Sequence, residues 1–283
     1  MKLIIISGRS GSGKSTALKA LEDAGFNCID NFPANLLRSL IDNALNDPMQ
    51  SRTNIAVCID ARTTDLERFP EILESLNKLE LNCQVIYLDA LSPTLVKRFS
   101  ETRRRHPLTS SSTDLRQAIE TEHKLLDSIS ELSDLKIDTT MLDGSQLVDL
   151  IESRVLKTTD AGLSLLFRSF GFKFGVPVDA DLVFDIRCLP NPYWEEALRP
   201  LTGLDVEVVQ YLEGQPLVIE MFDDIKGYLE SWLPRFEDNH RVYMTVAIGC
   251  TGGQHRSVYM THRLSEHFKR TMSNVLVRHR LIN

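Results

Sequence analysis

The sequence predicts an α/β protein with two mainly parallel sheets, and three observations lead to this fold class. Short apolar runs alternate with helical patterns of about ten or more residues, which is typical of a parallel sheet covered by helices on both faces. A glycine-rich segment, residues 8–15, stands between the first apolar run and the first helical pattern. A second strand-and-helix series carries another glycine-rich loop, residues 250–257, between a strand and a helix.

The order of these elements predicts two domains, residues 1–155 and 160–283. The expected strands are 3–6, 26–29, 55–59, 85–88 and 137–142 in the first half, then 163–170, 182–186, 242–248 and 275–277 in the second. Expected helices include 66–79, 93–105 and 146–156, followed by helices near 217–236 and 256–269. The run Lys-Thr-Thr-Asp-Ala-Gly at 157–162 resembles a linker.

The composition predicts a globular protein. The chain has 283 residues, of which 42% are hydrophobic and 25% charged, and no apolar run approaches the roughly 20 residues of a membrane helix. The start of the chain lacks a secretory pattern, and the five cysteines form no close pair, so we expect a reduced, cytoplasmic protein without a membrane partner. A net charge of −7 excludes a surface that is basic throughout, although a local basic stripe can still bind nucleic acid.

Residues 8–15 read Gly-Arg-Ser-Gly-Ser-Gly-Lys-Ser and fill every fixed position of the phosphate-loop pattern. Glycines let main-chain N–H groups turn towards phosphates, and the next helix adds its positive N-terminal dipole. Lys14 is expected to reach the β- and γ-phosphates, and the Ser15 hydroxyl to hold Mg²⁺. A flexible Gly/Ser turn is the alternative, but the strand and helix around the motif favour nucleotide binding. The predicted nucleotide-binding residues are Gly8, Arg9, Ser10, Gly11, Ser12, Gly13, Lys14 and Ser15, which makes the first domain P-loop NTPase-like or kinase-like.

A carboxylate partner for Mg²⁺ is expected where an apolar strand ends in aspartate. Asp60 and Asp89 both meet this condition, and either could instead cap the next helix. Asp60 is preferred because Ala61-Arg62-Thr63 follows and adds donors for phosphate or sugar oxygens. The arginines at 103–105 could cover a transferring phosphate or form a solvated helix end.

The second loop, residues 249–257, reads Gly-Cys-Thr-Gly-Gly-Gln-His-Arg-Ser. The spacing from Cys250 to Arg256 and Ser257 is that of a phosphatase loop, in which N–H groups and one arginine surround a phosphate. Such an enzyme uses the cysteine as nucleophile and an aspartic acid as general acid. The sequence identifies no convincing acid, so binding of a phosphorylated ligand is favoured over hydrolysis. An ordinary glycine turn beside a buried cysteine is the alternative.

Basic residues accumulate after this loop, and Glu266 is the main exception. The predicted RNA-binding residues are Lys269, Arg270, Arg278 and Arg280, accompanied by His262, Arg263, His267 and His279. Such a stripe can hold RNA phosphates, whereas a solvated helix face is the usual alternative.

Together these motifs resemble the RNase adapter protein RapZ family of bacterial P-loop proteins, over essentially the whole chain. The resemblance rests on residues 8–15, 30–33, 60–62, 101–108, 169–175, 179–187, 189–192, 199–203 and 246–257. The last segment is long and unusual, which makes the match specific.

The resemblance implies that the first domain binds ATP and GTP, with at most weak hydrolysis and no assigned catalytic residue. The second nucleotide segment would be Asp60, Ala61, Arg62 and Thr63. In enteric members the second domain binds glucosamine 6-phosphate and a small regulatory RNA, which it presents to an endoribonuclease to tune amino-sugar synthesis. The corresponding sugar-phosphate residues are Asp185, Asn191, Cys250, Thr251, Gly252, His255 and Arg256. A homo-oligomer, expected to be a tetramer, is also implied.

The chain departs from the enteric pattern at two places. Enteric members carry a Lys/Arg-rich tail after the pair that matches His279-Arg280, whereas this chain reads Leu281-Ile282-Asn283. Tyr193 stands where those members have histidine. Two enzymatic alternatives stay open at the level of sequence: a P-loop kinase for a small molecule, and a weak NTPase or a phosphatase based on Cys250 with a regulatory role.

Overall fold

The computed structural model describes residues 1–46, 53–63, 66–79, 81–110, 112–156, 162–239 and 241–282. The chain divides into two compact units, Met1–Lys157 and Thr158–Asn283. Each unit has its own parallel sheet. Apart from Gly162, the linker expected at 157–162 lies outside the described residues.

The first unit is built on a five-stranded parallel sheet with strand order β2-β3-β1-β4-β5. Its strands are β1 (Lys2–Gly8), β2 (Asn27–Ile29), β3 (Ile55–Cys58), β4 (Asn82–Asp89) and β5 (Leu135–Asp138). Strand β1 is central, and its apolar run from Leu3 to Ile6 is fully buried. A continuous apolar run is what a parallel strand needs when helices cover both faces of the sheet.

Six α-helices belong to the described part of this unit. They are α1 (Lys14–Asp23), α2 (Leu37–Asn46), α3 (Phe69–Asn77), α4 (Ser92–Thr102), α5 (Leu115–Glu131) and α6 (Gly144–Ile151). Helix α5 begins with a capping box, in which the side chains of Asp114 and Gln117 each bind the other residue's main-chain N–H. This cap fixes where α5 starts and therefore which of its residues face the sheet.

The second unit contains a four-stranded parallel sheet with strand order β7-β8-β6-β9. Its strands are β6 (Ser164–Gly171), β7 (Leu182–Asp185), β8 (Tyr243–Cys250) and β9 (Val275–His279), and its helices are α7 (Val206–Glu213), α8 (Pro216–Asp238) and α9 (Arg256–Phe268). The buried residues of α8 are Val218, Phe222, Ile225, Leu229 and Leu233. Spacings of three and four residues place them on one helix face, against the sheet core.

The predicted fold class is confirmed, because both sheets are parallel and alternate with helices. Several observed elements differ from the predicted bounds, and two of the C-terminal ends have a clear physical cause. The strand expected at 137–142 ends at Asp138, whose carboxylate accepts the main-chain N–H of Thr140 at 2.8 Å and turns the chain. The helix expected at 93–105 ends at Thr102, because Arg103 takes a left-handed conformation with φ of 51°. Within the described residues, no helix has the length and apolar character needed to cross a membrane.

Candidate functional site

The glycine-rich loop at 8–15 leaves the carboxyl end of β1 and enters α1. Gly8, Gly11 and Gly13 have φ values of 141°, 85° and 104°, a region that favours glycine over residues with a Cβ. A Cβ added to Gly8 would lie 2.0 Å from the carbonyl oxygen of Leu88 on β4. The loop is therefore a compact turn that packs against the sheet and runs directly into the N-terminus of α1.

The polar side chains of this loop fit a phosphate ligand. Lys14 Nζ donates to the Gly8 carbonyl oxygen at 2.6 Å, which folds the ammonium back over the loop. Ser15 is exposed in the first turn of α1. The buried Ser12 hydroxyl finds no hydrogen-bond partner among the described residues, although buried polar groups are normally hydrogen-bonded. A tight glycine loop with a lysine ammonium and the buried Ser12 hydroxyl is the arrangement expected for binding an oxyanion.

Arg9 anchors the loop and is only 3% exposed. Its Nε donates to Asp89 Oδ1 at 2.6 Å and its Nη1 to Ser92 Oγ at 3.0 Å, and Nη2 donates to the Ala90 carbonyl oxygen. The Arg9 side chain therefore faces the protein interior, and its main chain alone follows the loop. Asp89, considered above for Mg²⁺, is engaged in this anchor.

Glu122 is a second anchor that sequence reasoning missed. Its carboxylate accepts Ser10 N–H at 2.8 Å, Ser10 Oγ–H at 2.6 Å and His106 Nε2–H at 3.0 Å. Leu108 N–H donates to His106 Nδ1 at 3.2 Å, so the ring proton lies on Nε2 and points to Glu122. Burial alone would raise the pKa of Glu122, but the bonds from His106 and Ser10 hold it below its ordinary value.

Arg98 on α4 is a third anchor without a sequence signal. Its Nη1 donates to the Gly11 carbonyl oxygen and to Thr139 Oγ1, both at 3.0 Å, and its Nη2 donates to the Thr139 carbonyl oxygen. The guanidinium thereby joins the phosphate loop to the segment after β5. The arginines at 103–105, by contrast, are exposed.

Asp60 lies just after β3, the neighbour of β1, and is buried. Its Oδ2 accepts Arg62 Nε–H at 2.9 Å and its Oδ1 accepts Arg62 N–H at 2.9 Å. Burial would raise the pKa of Asp60, but these bonds, together with the charge of Lys14, lower it. The turn is closed by Thr63 N–H, which donates to the Asp60 carbonyl oxygen at 3.0 Å, and it includes Ala61. The predicted segment 60–63 is thus a turn with an ionised carboxylate near Lys14.

A metal ion would need more than protein ligands at this place. Across the described ranges, no group of three or more His, Cys, Asp or Glu side chains could hold a metal ion. Mg²⁺ commonly binds through one or two protein groups plus substrate phosphates. Ser15 and Asp60 are the residues here that fit such a shared site.

The second loop joins β8 to α9 and is closely packed. Cys250 Sγ accepts Gly253 N–H at 3.1 Å and lies 3.1 Å from Ser257 Oγ. A Cβ added to Gly171 would lie 2.7 Å from the Gly252 carbonyl carbon, so the end of β6 touches the loop backbone to backbone. Cys250 is 3% exposed and lies under the curve of the loop.

Arg256 begins α9 and is 4% exposed. Its Nη1 donates to the carbonyl oxygens of Arg187 and Leu189, both at 2.8 Å, and its Nη2 donates to Thr251 Oγ1 at 3.4 Å. The buried Nε has no hydrogen-bond partner among the residues described. Arg256 therefore ties the 250–257 loop to the segment after β7.

The other predicted sugar-phosphate residues lie in the loop itself, on β7 or in the segment that follows β7. Asp185 is paired in register with Gly249, directly before Cys250, and Arg187 lowers its pKa through hydrogen bonds. Asn191 accepts Tyr193 N–H at 3.4 Å and caps a short 3₁₀ turn. His255 is buried, its Nε2 lacks a hydrogen-bond partner within the described ranges, and burial lowers its pKa.

The predicted RNA-binding residues fall on two elements. Lys269 and Arg270 are exposed at the end of α9, where Lys269 donates to Glu266 at 2.8 Å. Arg278 lies on the edge strand β9, opposite Arg168. Arg280 donates to the Gly175 carbonyl oxygen at 2.6 Å, which gives it a structural role at the end of β9.

The fold and these loops define a P-loop protein joined to a second α/β unit that carries a loop with Cys-x5-Arg spacing. The chain matches the RapZ-like N-terminal domain over residues 1–159 and the RapZ C-terminal domain over residues 163–283. It belongs to the RapZ family.

Similar proteins extend over the whole length. A nucleotide-binding protein of Pseudomonas fluorescens (strain SBW25) is 57% identical over 282 residues, and one of Pseudomonas putida (strain GB-1) is 56% identical over 282 residues, each alignment covering 99% of both chains. Among solved structures, a shikimate kinase from Acinetobacter baumannii in complex with shikimate is similar with a TM-score of 0.39 and 17% identity, over 57% of this chain and 96% of that one.

Proposed function

We propose that the first unit binds a nucleoside triphosphate, ATP or GTP, with Mg²⁺. The observation that carries this proposal is the phosphate loop, with its glycines at positive φ and Lys14 folded over it; its buried Ser12 hydroxyl has no hydrogen-bond partner in the described ranges. The full-length relatives that are named nucleotide-binding proteins support it. Lys14 would neutralise phosphate charge, and Ser15 with Asp60 would hold the metal.

Equilibrium binding of fluorescent ATP and GTP analogues tests this proposal. Lys14→Ala removes the cation that would face the phosphates and should weaken binding by at least about tenfold, the effect of one lost charge-assisted contact. Lys19→Ala is the matched control, because Lys19 is an exposed lysine of the same helix. Equal affinity of all three chains would refute nucleotide binding at this loop.

We further propose that the second unit is an RNA-binding adapter with a sugar-phosphate sensor. In this proposal the 250–257 loop binds glucosamine 6-phosphate, and the basic residues of α9 and β9 bind a small regulatory RNA that is presented to an endoribonuclease. The chain acts as a cytoplasmic homo-oligomer, a tetramer. Support comes from the membership of the RapZ family and from the buried Nε of Arg256, which has no hydrogen-bond partner among the described residues.

Calorimetry with glucosamine 6-phosphate tests the sensor. Arg256→Lys keeps a positive charge but cannot bind both carbonyl oxygens and a phosphate, so binding should fall at least about tenfold. Arg235→Lys on α8 is the control, because Arg235 lies against Trp232 at 4.6 Å and not at the loop. Absence of heat with the unchanged chain would remove the sensor from the proposal.

RNA binding is tested by filter binding of a small RNA at several salt concentrations. Contacts to phosphates release counterions, so affinity should fall as salt rises. Lys269→Gln removes one phosphate contact and should therefore reduce the slope of log affinity against log salt concentration by about 1. No affinity, or affinity without a salt slope, would refute this part of the proposal.

A further inference from the structure

A cavity of about 700 Å³ opens in the second unit between α7, α8 and α9. None of its lining residues belongs to the 250–257 loop. Its volume is in the range of roughly 300–1,000 Å³ that is usual for small-molecule sites. The cavity is therefore large enough for a ligand and separate from the anion loop.

Aromatic side chains form one wall of the cavity. Phe222 comes from α8 and Tyr259 from α9. Arg263 is held between them, with its guanidinium carbon 4.2 Å from the centre of the Phe222 ring and its Nη1 donating to Tyr259 Oη at 2.7 Å. Aromatic rings and a fixed guanidinium plane are the surfaces on which nucleic-acid bases stack.

Charged groups of both signs stand around this wall. Arg270 is exposed at the end of α9, and Glu213 reaches the cavity from α7. Two other lining groups are engaged elsewhere, because His267 Nε2 lies 2.6 Å from Glu230 Oε1 and Glu266 accepts Lys269 at 2.8 Å. A fitting ligand thus combines a planar ring, an anionic group for Arg270 and N–H donors for Glu213.

We propose that this cavity binds one nucleotide, with its base stacked on the Arg263 guanidinium, which Phe222 and Tyr259 hold in place, and its phosphate against Arg270. The charges of Arg270 and Glu213 at the rim favour a polar, anionic ligand over a lipid or a purely apolar one. The nucleotide is either an unpaired residue of a bound RNA or a free mononucleotide. The RNA form of this inference rests on the RNA-binding part of the proposed function.

Two measurements on the full chain test the proposal: fluorescence anisotropy with a labelled single-stranded RNA octamer, and calorimetry with AMP, GMP, CMP and UMP. Val209→Trp fills the cavity from α7, and Val206→Trp is its control, because Val206 lies on the same helix, is 64% exposed and does not line the cavity. Arg270→Gln removes the phosphate partner, and Arg235→Gln is its control. Thermal unfolding checks that each variant folds.

We expect Val209→Trp to weaken octamer or mononucleotide binding by at least about tenfold, the effect of one lost stacked base. Arg270→Gln should weaken binding about fivefold, the effect of one lost exposed charge contact, and neither control should change it. Lys14→Ala should leave mononucleotide binding at the cavity intact, which separates this site from the phosphate loop.

The outcomes distinguish the two possible sources. Octamer binding that Val209→Trp weakens, without mononucleotide binding, supports the RNA source. Cavity-dependent mononucleotide binding without RNA affinity supports a free nucleotide and refutes the RNA part of the proposed function. Octamer affinity that is equal in Val209→Trp and the unchanged chain overturns the RNA source and leaves RNA binding standing elsewhere. No cavity-dependent binding of either probe overturns the proposal altogether.

Discussion

The imidazole of His106 donates from Nε2 to Oε2 of Glu122 at 3.0 Å, and both side chains are fully buried. The same carboxylate holds the N–H and the hydroxyl of Ser10 in the phosphate loop. The loop therefore depends on a charge that lies 112 residues away in the chain. Its shape is set by the packing of α5 as much as by its glycines.

Glu122→Gln should distort the phosphate loop. A glutamine amide has one acceptor oxygen and an NH₂ group, which would face N–H or O–H donors that now bind a carboxylate. We expect a loss of stability of about 1–3 kcal/mol for the unsatisfied buried groups, and nucleotide affinity reduced severalfold. Chemical denaturation and nucleotide titration measure the two effects. Glu131→Gln, at an exposed position of the same helix, is the control, and a Glu122→Gln chain that matches it would disprove this role.

Gly8→Ala should prevent the first unit from folding normally. The added Cβ would lie 2.0 Å from the Leu88 carbonyl oxygen, at a φ of 141°, so the strand β4 itself would have to move. The expected cost exceeds about 3 kcal/mol. Gly25→Ala separates backbone strain from collision, because Gly25 has a φ of 88° and nothing within 4 Å of an added Cβ. It should cost only about 1 kcal/mol. Similar denaturation midpoints for the two variants would contradict the collision.

Protonation of His279 should lower the stability of the second unit in mild acid. Burial, followed by the charge of His262, lowers the pKa of His279 from 6.5 to about 4. A lowered pKa means that the unfolded chain binds the proton first, so this contribution is complete above pH 6.5 and is lost as the pH falls to about 4. Because the side chain is only partly buried, we expect at most about 2 kcal/mol.

An NMR titration of the imidazole protons measures this pKa directly, and His279→Gln assigns the signal. The variant should also flatten the dependence of unfolding on pH between 6.5 and 4. A midpoint near the ordinary histidine value would show that burial does not control this group.

Cys250→Ser should separate binding from hydrolysis at the 250–257 loop. The hydroxyl can accept Gly253 N–H in place of the thiol sulfur, which accepts it at 3.1 Å, so sugar-phosphate affinity should change less than about threefold. A phosphatase would lose all activity, because serine is not activated as a thiolate is. Phosphate release and calorimetry measure both properties. Turnover by the unchanged chain, with a trapped phosphocysteine, would establish the phosphatase alternative.

The place of the first loop between β1 and α1 could be predicted from the sequence because the pattern is local. Gly8, Gly13, Lys14 and Ser15 lie within one turn between a strand and a helix, so their spacing alone predicts the loop. Glu122 and Arg98 could not be found in this way. Their contacts with Ser10 and Gly11 depend on how α5 and α4 pack, and no spacing rule connects residues 112 and 87 positions apart.

The second loop shows a subtler limit. Its spacing predicted an arginine that contacts a bound anion. In the structure, Nη1 of Arg256 instead donates to the carbonyl oxygens of Arg187 and Leu189. These acceptors come from a segment after β7 without any phosphate-binding pattern. The strand boundary at Asp138 failed for a similar reason, because the turn at Thr140 depends on a side-chain bond that interrupts an apolar run.

The buried contact between Arg9 and Asp89 has an evolutionary consequence. Arg9 occupies a position that the phosphate-loop pattern leaves open, yet its guanidinium is bound by β4 and by the start of α4. Removal of either partner would leave the other charge buried and unpaired, which lowers the free energy of unfolding by about 3–5 kcal/mol. Substitutions at Arg9 and Asp89 should therefore occur together in related sequences, although the phosphate-loop pattern itself does not restrict position 9.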